Sequence, residues 1–139
     1  MKFKPRVDKY YLWIAIPTEI FLIVMTVMTV VHFTLFGLIV MLFALALSSF
    51  FILSPVLFGY AELRDDELFV DFGVFIKRSI PYSKIRSVEK KHRFYSESML
   101  SLKCAIDHVD VKYNSFDMIS LSLKEEAKFI EELNRKKSI

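Results

Sequence analysis

Between Tyr10 and Ala61 the chain carries no Lys, Arg or Asp, and only Glu19 and His32 interrupt an otherwise apolar or weakly polar run. A run of that length and polarity reads as a bilayer segment. As one straight helix it would reach roughly 75 Å, more than twice the ~30 Å hydrocarbon thickness, so it must fold back on itself. Thr29, His32, Thr34 and Gly37 are the only polar or flexible cluster near its middle, which places a turn at His32 to Gly37. Helices are then expected at Tyr10 to Val31 and at Leu38 to Phe58.

Basic residues set the orientation. Lys2, Lys4, Arg6 and Lys9 precede the run, Arg64, Lys77 and Arg78 follow it, and the central turn has none, so both termini are expected on the cytoplasmic side. Tyr10, Tyr11, Trp13, Phe58 and Tyr60 would then share one interface, where amphipathic rings are favoured. A cleaved signal peptide is the rival reading, but it needs a shorter apolar region and a small-residue cleavage site, and here a second span follows.

Glu19 admits two readings. With a first helix starting at Tyr10, antiparallel pairing sets Glu19 beside Ser48 and Ser49, giving a hydrogen-bonded intramembrane polar site. With Pro17 as the first helical residue, Glu19 falls in the first turn, where the helix dipole and the headgroups favour it.

Composition closes off several function classes. Among 139 residues there is one cysteine, Cys104, so no disulfide framework exists within the chain. Gly37, Gly59 and Gly73 stand far apart, which leaves no phosphate loop and no dinucleotide fingerprint. A net charge of +3 gives no electrostatic footprint for nucleic acid, and no nucleic-acid partner is expected.

From Tyr60 onward the pattern alternates. Leu68, Val70 and Phe72 alternate with Phe69 and Asp71, and Gly73 supplies a turn before Phe75 to Ile80. Pro81 belongs at a strand edge or start, Ile85 to Lys90 reads as extended, and Val109, Val111 and Tyr113 alternate with Asp110 and Lys112. Asn114 to Asp117 turns the chain into Met118 to Leu123. Then the period changes: Ala127, Ile130 and Leu133, with Phe129, form one face of a helix that Ser122 and Glu125 would open as a capping box. Strands followed by one amphipathic helix imply an α+β domain, a bent antiparallel sheet or partly open barrel capped by the C-terminal helix. Three parts are expected: a basic N-terminus (1–9), a two-helix transmembrane hairpin (10–59) and a cytoplasmic domain (60–139).

The order of segments Tyr60-Ala61-Glu62-Leu63, Asp66-Glu67-Leu68-Phe69-Val70, Ile80-Pro81-Tyr82-Ser83-Lys84-Ile85, Ser98-Met99-Leu100-Ser101, Asp107-His108-Val109-Asp110-Val111-Lys112-Tyr113 and Phe129-Ile130-Glu131-Glu132-Leu133 resembles a bacterial pleckstrin-homology-like (PH-like) family. The Lys-Phe-Lys opening and Asp8 before the first span also fit it. The set includes relatives of the sublancin immunity protein. The resemblance implies a multi-pass bacterial membrane protein whose partner is a protein or a peptide, with bacteriocin immunity as one role; the dispersed His32, His92 and His108 and the missing nucleophile-elbow and zinc-protease signatures point away from an enzyme, and no cofactor is expected. An anionic-lipid sensor and a small structural subunit of a membrane complex are the alternatives. The stretch Leu102 to Ile106 is longer than the family pattern, and His108 stands where the family tends to carry arginine.

Four groups of residues invite a functional reading. The first hairpin loop, Arg64-Asp65-Asp66-Glu67, holds three carboxylates and would repel phosphorylated inositol. Lys84, Arg86, Lys90, Lys91 and Arg93, with Lys77 and Arg78, could rest on anionic headgroups or meet a partner, or could simply be a solvated strand face. Cys104, Asp107, His108 and Asp110 include metal-ligating types, but strand alternation turns Asp107 away from the other three and the paired spacings of zinc sites are missing, so no metal is expected. The segment Tyr95 to Leu102 reads as a loop with an apolar tip, either a partner contact or a turn capping the core.

Overall fold

The computed structural model describes residues 1–32 and 34–138; Phe33, within the expected turn, and Ile139 lie outside them. Helix α1 spans Lys9–Val31 and helix α2 spans Leu35–Phe58, packed against one another as a hairpin. Helix α1 starts at Lys9 with Pro17 in its interior, which overturns the reading that placed Pro17 at a first helical position. Thr18 and Thr26 donate side-chain hydrogen bonds to the carbonyls of Ile14 and Leu22, which satisfies both hydroxyls within the helix. Almost the whole surface of both helices is apolar and exposed, Phe21, Phe36, Phe43 and Phe51 included. A helix that is apolar on all sides yet unburied by protein lacks the amphipathic pattern of a soluble fold.

Among the described residues, eight strands form two sheets. Strands β1 (Lys2–Phe3), β2 (Tyr60–Leu63), β3 (Glu67–Asp71) and β4 (Lys77–Pro81) form an antiparallel sheet in that order. A 3-10 turn at Tyr82–Lys84 leads to β5 (Ile85–His92), β6 (Leu100–Leu102), β7 (Asp107–Tyr113) and β8 (Asp117–Leu121), whose spatial order is β5-β7-β8-β6. The second sheet is mixed rather than purely antiparallel, because β6 runs parallel to β8 along its edge. Helix α3 (Glu126–Lys137) closes one side, burying Phe129 and Leu133 against both sheets; no closed barrel forms.

The core joins Leu68, Val70 and Ile80 of the first sheet to Val109, Val111, Ile119 and Leu121 of the second. These are the alternating positions of the sequence, each inward side chain separated from the next by an outward one. Phe3 also enters this core, edge-on to Phe129 at 5.3 Å between ring centroids. Nothing in the two-residue segment Lys2–Phe3 signals a strand by period; its register, Lys2 with Glu62 and Phe3 with Ala61, comes from long-range pairing.

The expected capping box is absent. Ser122 is fully buried at the end of β8, where its hydroxyl lies 3.3 Å and 3.1 Å from the carbonyls of Ala105 and Asp107 and donates to them. Glu125 caps α3 without a side-chain hydrogen bond. A buried hydroxyl takes whichever acceptor replaces its lost water, and here the start of β7 and the loop before it supply two.

Candidate functional site

The region where the helices meet the sheets gathers most of the polar side chains that hold unlike elements together. Asp8, directly before α1, accepts the Ile106 backbone N–H at 3.1 Å and donates its own N–H to the Cys104 carbonyl at 2.9 Å. Arg6 lies 3.3 Å from Asp8 and 3.7 Å from Asp107. His92 Nδ1 is hydrogen-bonded to Asp107, and this bond above all, with Arg6 and Lys90 adding, holds the Asp107 carboxyl below the usual carboxylate range. At the other helix, Ser54 of α2 accepts the Val74 N–H at 3.0 Å. Gly73 (φ +135°) makes that approach possible: a Cβ there would stand 2.0 Å from Ser54 Oγ.

Between these two fastenings lies a cavity of about 300 Å³. Tyr10, Tyr11 and Ile14 of α1 wall one side of it, and Phe94, Lys103 and Ile106 the other. Burial lowers the basicity of Lys103, whose ammonium donates to the Arg93 carbonyl at 2.5 Å. Burial also pushes the neighbouring Cys104 thiol up to about 11.

Inside the hairpin, Ser48 donates to one oxygen of Glu19 at 2.8 Å and Ser49 to the other at 3.2 Å, so these three residues are brought together. Tyr11 adds a second cross-helix bond, to the Ile52 carbonyl at 2.6 Å.

The five basic residues Lys84, Arg86, Lys90, Lys91 and Arg93 do not gather into one patch. They follow β5 over roughly 30 Å at 3.3 Å per residue, and neighbouring side chains turn to opposite faces. Lys90 pairs with Glu126 of α3 at 3.2 Å, whereas Lys91 turns to the other face and Asp110 at 3.2 Å, which raises its ammonium pKa. Arg93 pairs with Glu97, Arg86 donates to the Ser115 carbonyl at 2.9 Å, and Lys84 stays exposed at the 3-10 turn. Within the group only Glu89 offsets it and Glu97 follows four residues after Arg93; the fold adds Asp110 and Glu126, which no local pattern announces.

Asp110 is itself the centre of a buried network. Ser120 donates to its Oδ1 at 2.6 Å, and His108 Nε2 lies 3.4 Å from the same oxygen. His108 Nδ1 is 2.9 Å from the Ile106 carbonyl. Ser120 therefore hydrogen-bonds the acid and not the imidazole, the reverse of what a serine nucleophile needs from its base. Among the described residues, no three of Cys104, Asp107, His108, Asp110 and the other acidic or histidine side chains converge as a metal-ligating group. In the first hairpin loop, Arg64 is spanned by Glu62 and Glu67, both at 3.2 Å.

Sequence reasoning missed Asp8 as a fastening residue, Ser54 as the acceptor for the β3–β4 turn, and the pairing of Lys2–Phe3 with β2. The one available signal was Gly73, a flexible residue followed by the apolar run Val74-Phe75-Ile76.

Comparison with curated proteins and with solved structures finds no significant match. A family model described as Bacterial PH domain matches residues 60–137, the stretch that forms β2 through α3. Two sheets closed by a terminal helix, matched over more than half of the chain, place this protein in the bacterial PH domain family.

Proposed function

We propose that the chain is a membrane-anchored, non-enzymatic interaction module. Its hairpin crosses the bacterial cell membrane twice and holds the PH-like domain against the cytoplasmic face, where it engages a protein or peptide. One observation carries the anchoring: β1 precedes the hairpin, β2 follows it, and the two pair in one antiparallel sheet. Strands that hydrogen-bond lie on the same side of any membrane crossed between them, which supports a twofold crossing. The basic residues at that end of the hairpin support the cytoplasmic side. Glu19, Ser48 and Ser49 act in this reading as a latch that fixes the register of the two helices.

The anionic-lipid sensor has less support, since three of its five cations face carboxylates within the domain. A small structural subunit of a membrane complex would share the same anchoring. Immunity to an antimicrobial peptide rests on the resemblance to relatives of the sublancin immunity protein, and makes such a peptide one partner to test by crosslinking to the full chain.

Topology reporters test the anchoring. A reporter fused after the last residue is expected to be active only in the form that requires the cytoplasm, and one inserted at Thr34 only in the form that requires the exterior. An external C-terminal reporter would overturn the proposal.

A further inference from the structure

Two loops of the PH-like domain carry their polarity inside out. In the segment between β5 and β6, Ser96 and Ser98 face the sheet. Ser96 donates to Ser120 Oγ at 2.9 Å, and Ser98 lies 2.5 Å from the Met118 carbonyl and donates to it. The side chains left outside are Phe94, Tyr95 and Met99, the last fully exposed, together with Glu97, whose carboxylate is paired with Arg93 and Lys91 at the headgroup side of the loop. The β3–β4 turn is similar. Asp71 accepts the Gly73 N–H at 3.0 Å, Phe72 N–H closes the turn on the Ile76 carbonyl at 2.9 Å, and Val74, Phe75 and Ile76 point outward. A loop in water turns hydroxyls out and apolar groups in; both of these do the opposite while being tied down by hydrogen bonds.

Their position is as telling as their polarity. Phe75 lies 5.8 Å from Phe50 of α2, Val74 is fastened to Ser54, and Phe94 lies 5.8 Å from Tyr10 of α1. Met99 shares a small cleft with Phe50, Phe51 and Pro55. Both loops therefore flank the same end of the hairpin, from two sides. About 20 residues of helix match the hydrocarbon thickness, and counting that many along α2 from Leu35 reaches Ser54. Lys77 and Arg78, both exposed, follow the β3–β4 tip directly, at the place where headgroup phosphates would begin.

We infer that the Val74–Ile76 tip and the Phe94–Met99 loop insert into the bilayer at the boundary between acyl chains and headgroups. They would form a collar around the hairpin that fixes the orientation of the PH-like domain on the membrane. The occupant of this surface is lipid of the leaflet from which the hairpin emerges. The inference rests on the hairpin crossing that bilayer. It goes further in making the domain itself a membrane-contacting body, with the β7–β8 turn at Phe116 directed away from the lipid, since β7 begins at Asp107 beside Arg6 at the foot of α1 and runs to its far end before that turn.

Depth-resolved quenching tests it on the full chain in phosphatidylcholine and phosphatidylglycerol vesicles. Single cysteines replace Phe75, Met99, Phe116 or Phe43, all exposed positions, and each carries a small fluorophore. Nitroxides sit on the acyl chain near the headgroup or near the methyl end, and the parent chain treated identically gives the background from buried Cys104. Labels at Phe75 and Met99 are expected to lose most emission to the shallow nitroxide, the Phe43 label to the deep one, and the Phe116 label to neither. Quenching at Phe43 with Phe75 or Met99 behaving like Phe116 would overturn the collar and leave the hairpin standing. No quenching at Phe43 would remove the spanning hairpin, and the collar with it.

Discussion

Phe43 and Phe129 are the same side chain in opposite surroundings. Phe43 points outward from the middle of α2, while Phe129 is sealed between α3 and the two sheets. The hairpin turns its large apolar groups out and keeps a handful of polar contacts within: Glu19 with Ser48 and Ser49, and Tyr11 with the Ile52 carbonyl. In the sheet domain the apolar groups are buried except at the loop tips around Phe75, Met99 and Phe116, and buried polar groups such as Asp110 are held in hydrogen-bonded networks. The contrast shows that one sequence can follow two solvent rules. The boundary between them runs through Asp8, Ser54 and Gly73 rather than through a linker.

The largest test of this contrast is a paired truncation. Phe129→Ala is expected to destabilise the domain by ~3–5 kcal/mol, the usual cost of emptying an aromatic core site. On the proposed topology Phe43→Ala should cost less than ~1 kcal/mol, because lipid tails would be as apolar as the side chain they replace. Hydrogen exchange across β7 and β8 of the full chain in bilayers reads both; comparable losses would erase the distinction.

Asp110→Ala comes next, at ~3 kcal/mol, the lower part of the range for breaking a buried ion pair. The loss stays at that end because Lys91 also lies 3.8 Å from Glu89 and 3.7 Å from Glu97 and can turn to them. Denaturant midpoints measure it, and Asp110→Asn should recover part by keeping an acceptor for Ser120.

Cys104 sharpens the comparison through pH. Its thiol is raised from 9.0 to about 11. At neutral pH the folded protein therefore holds about 100-fold less thiolate than an ordinary cysteine, and maleimide labelling should be slowed at least that much. Since the folded pKa lies above the unfolded one, this group's contribution to stability is complete below pH ~9 and declines as pH rises toward 11. Rapid labelling at neutral pH would show that the Cys104 region is open.

At the junction, Gly73→Ala should cost ~1–3 kcal/mol, from strain at positive φ and from the clash with Ser54. It should also accelerate exchange at the Val74 amide. The smallest effect belongs to the hairpin's own polar contact. Glu19→Gln keeps a group that can bond both serines, so unfolding in bilayers should shift by under ~1 kcal/mol and insertion should be unchanged. A large gain in stability would mean that the carboxyl is held there at a cost.

Periodic features of this fold were legible in the sequence because they are local. The apolar run with its central polar cluster placed both helices, and alternation at Leu68 to Phe72 and Val109 to Tyr113 located two of the core strands. Antiparallel register offered Glu19 beside Ser48 and Ser49 as only one of two readings, because the sequence alone did not decide whether α1 starts at Tyr10 or at Pro17. Long-range features were not legible. Ser122 and Glu125 match a capping pattern, yet Ser122 faces carbonyls 15 and 17 residues away in sequence. The edge strand Leu100–Leu102 is too short for alternation to mark, and its parallel pairing is set by β8. The partners of Lys90 and Lys91 come from α3 and β7, far along the chain, so charge counted along β5 overstated the cationic field.

The pairing of β1 with β2 has a consequence for how such a chain is made. A ribosome delivers Lys2 and Phe3 first, but their partners Glu62 and Ala61 appear only after both helices have been synthesised. On the proposed topology, a chain whose second helix failed to return would strand Phe3 across the membrane from the core that needs it. Completion of the domain thus reports correct insertion, and chains that stall with one crossing would be left with an open sheet edge for quality-control proteases to find.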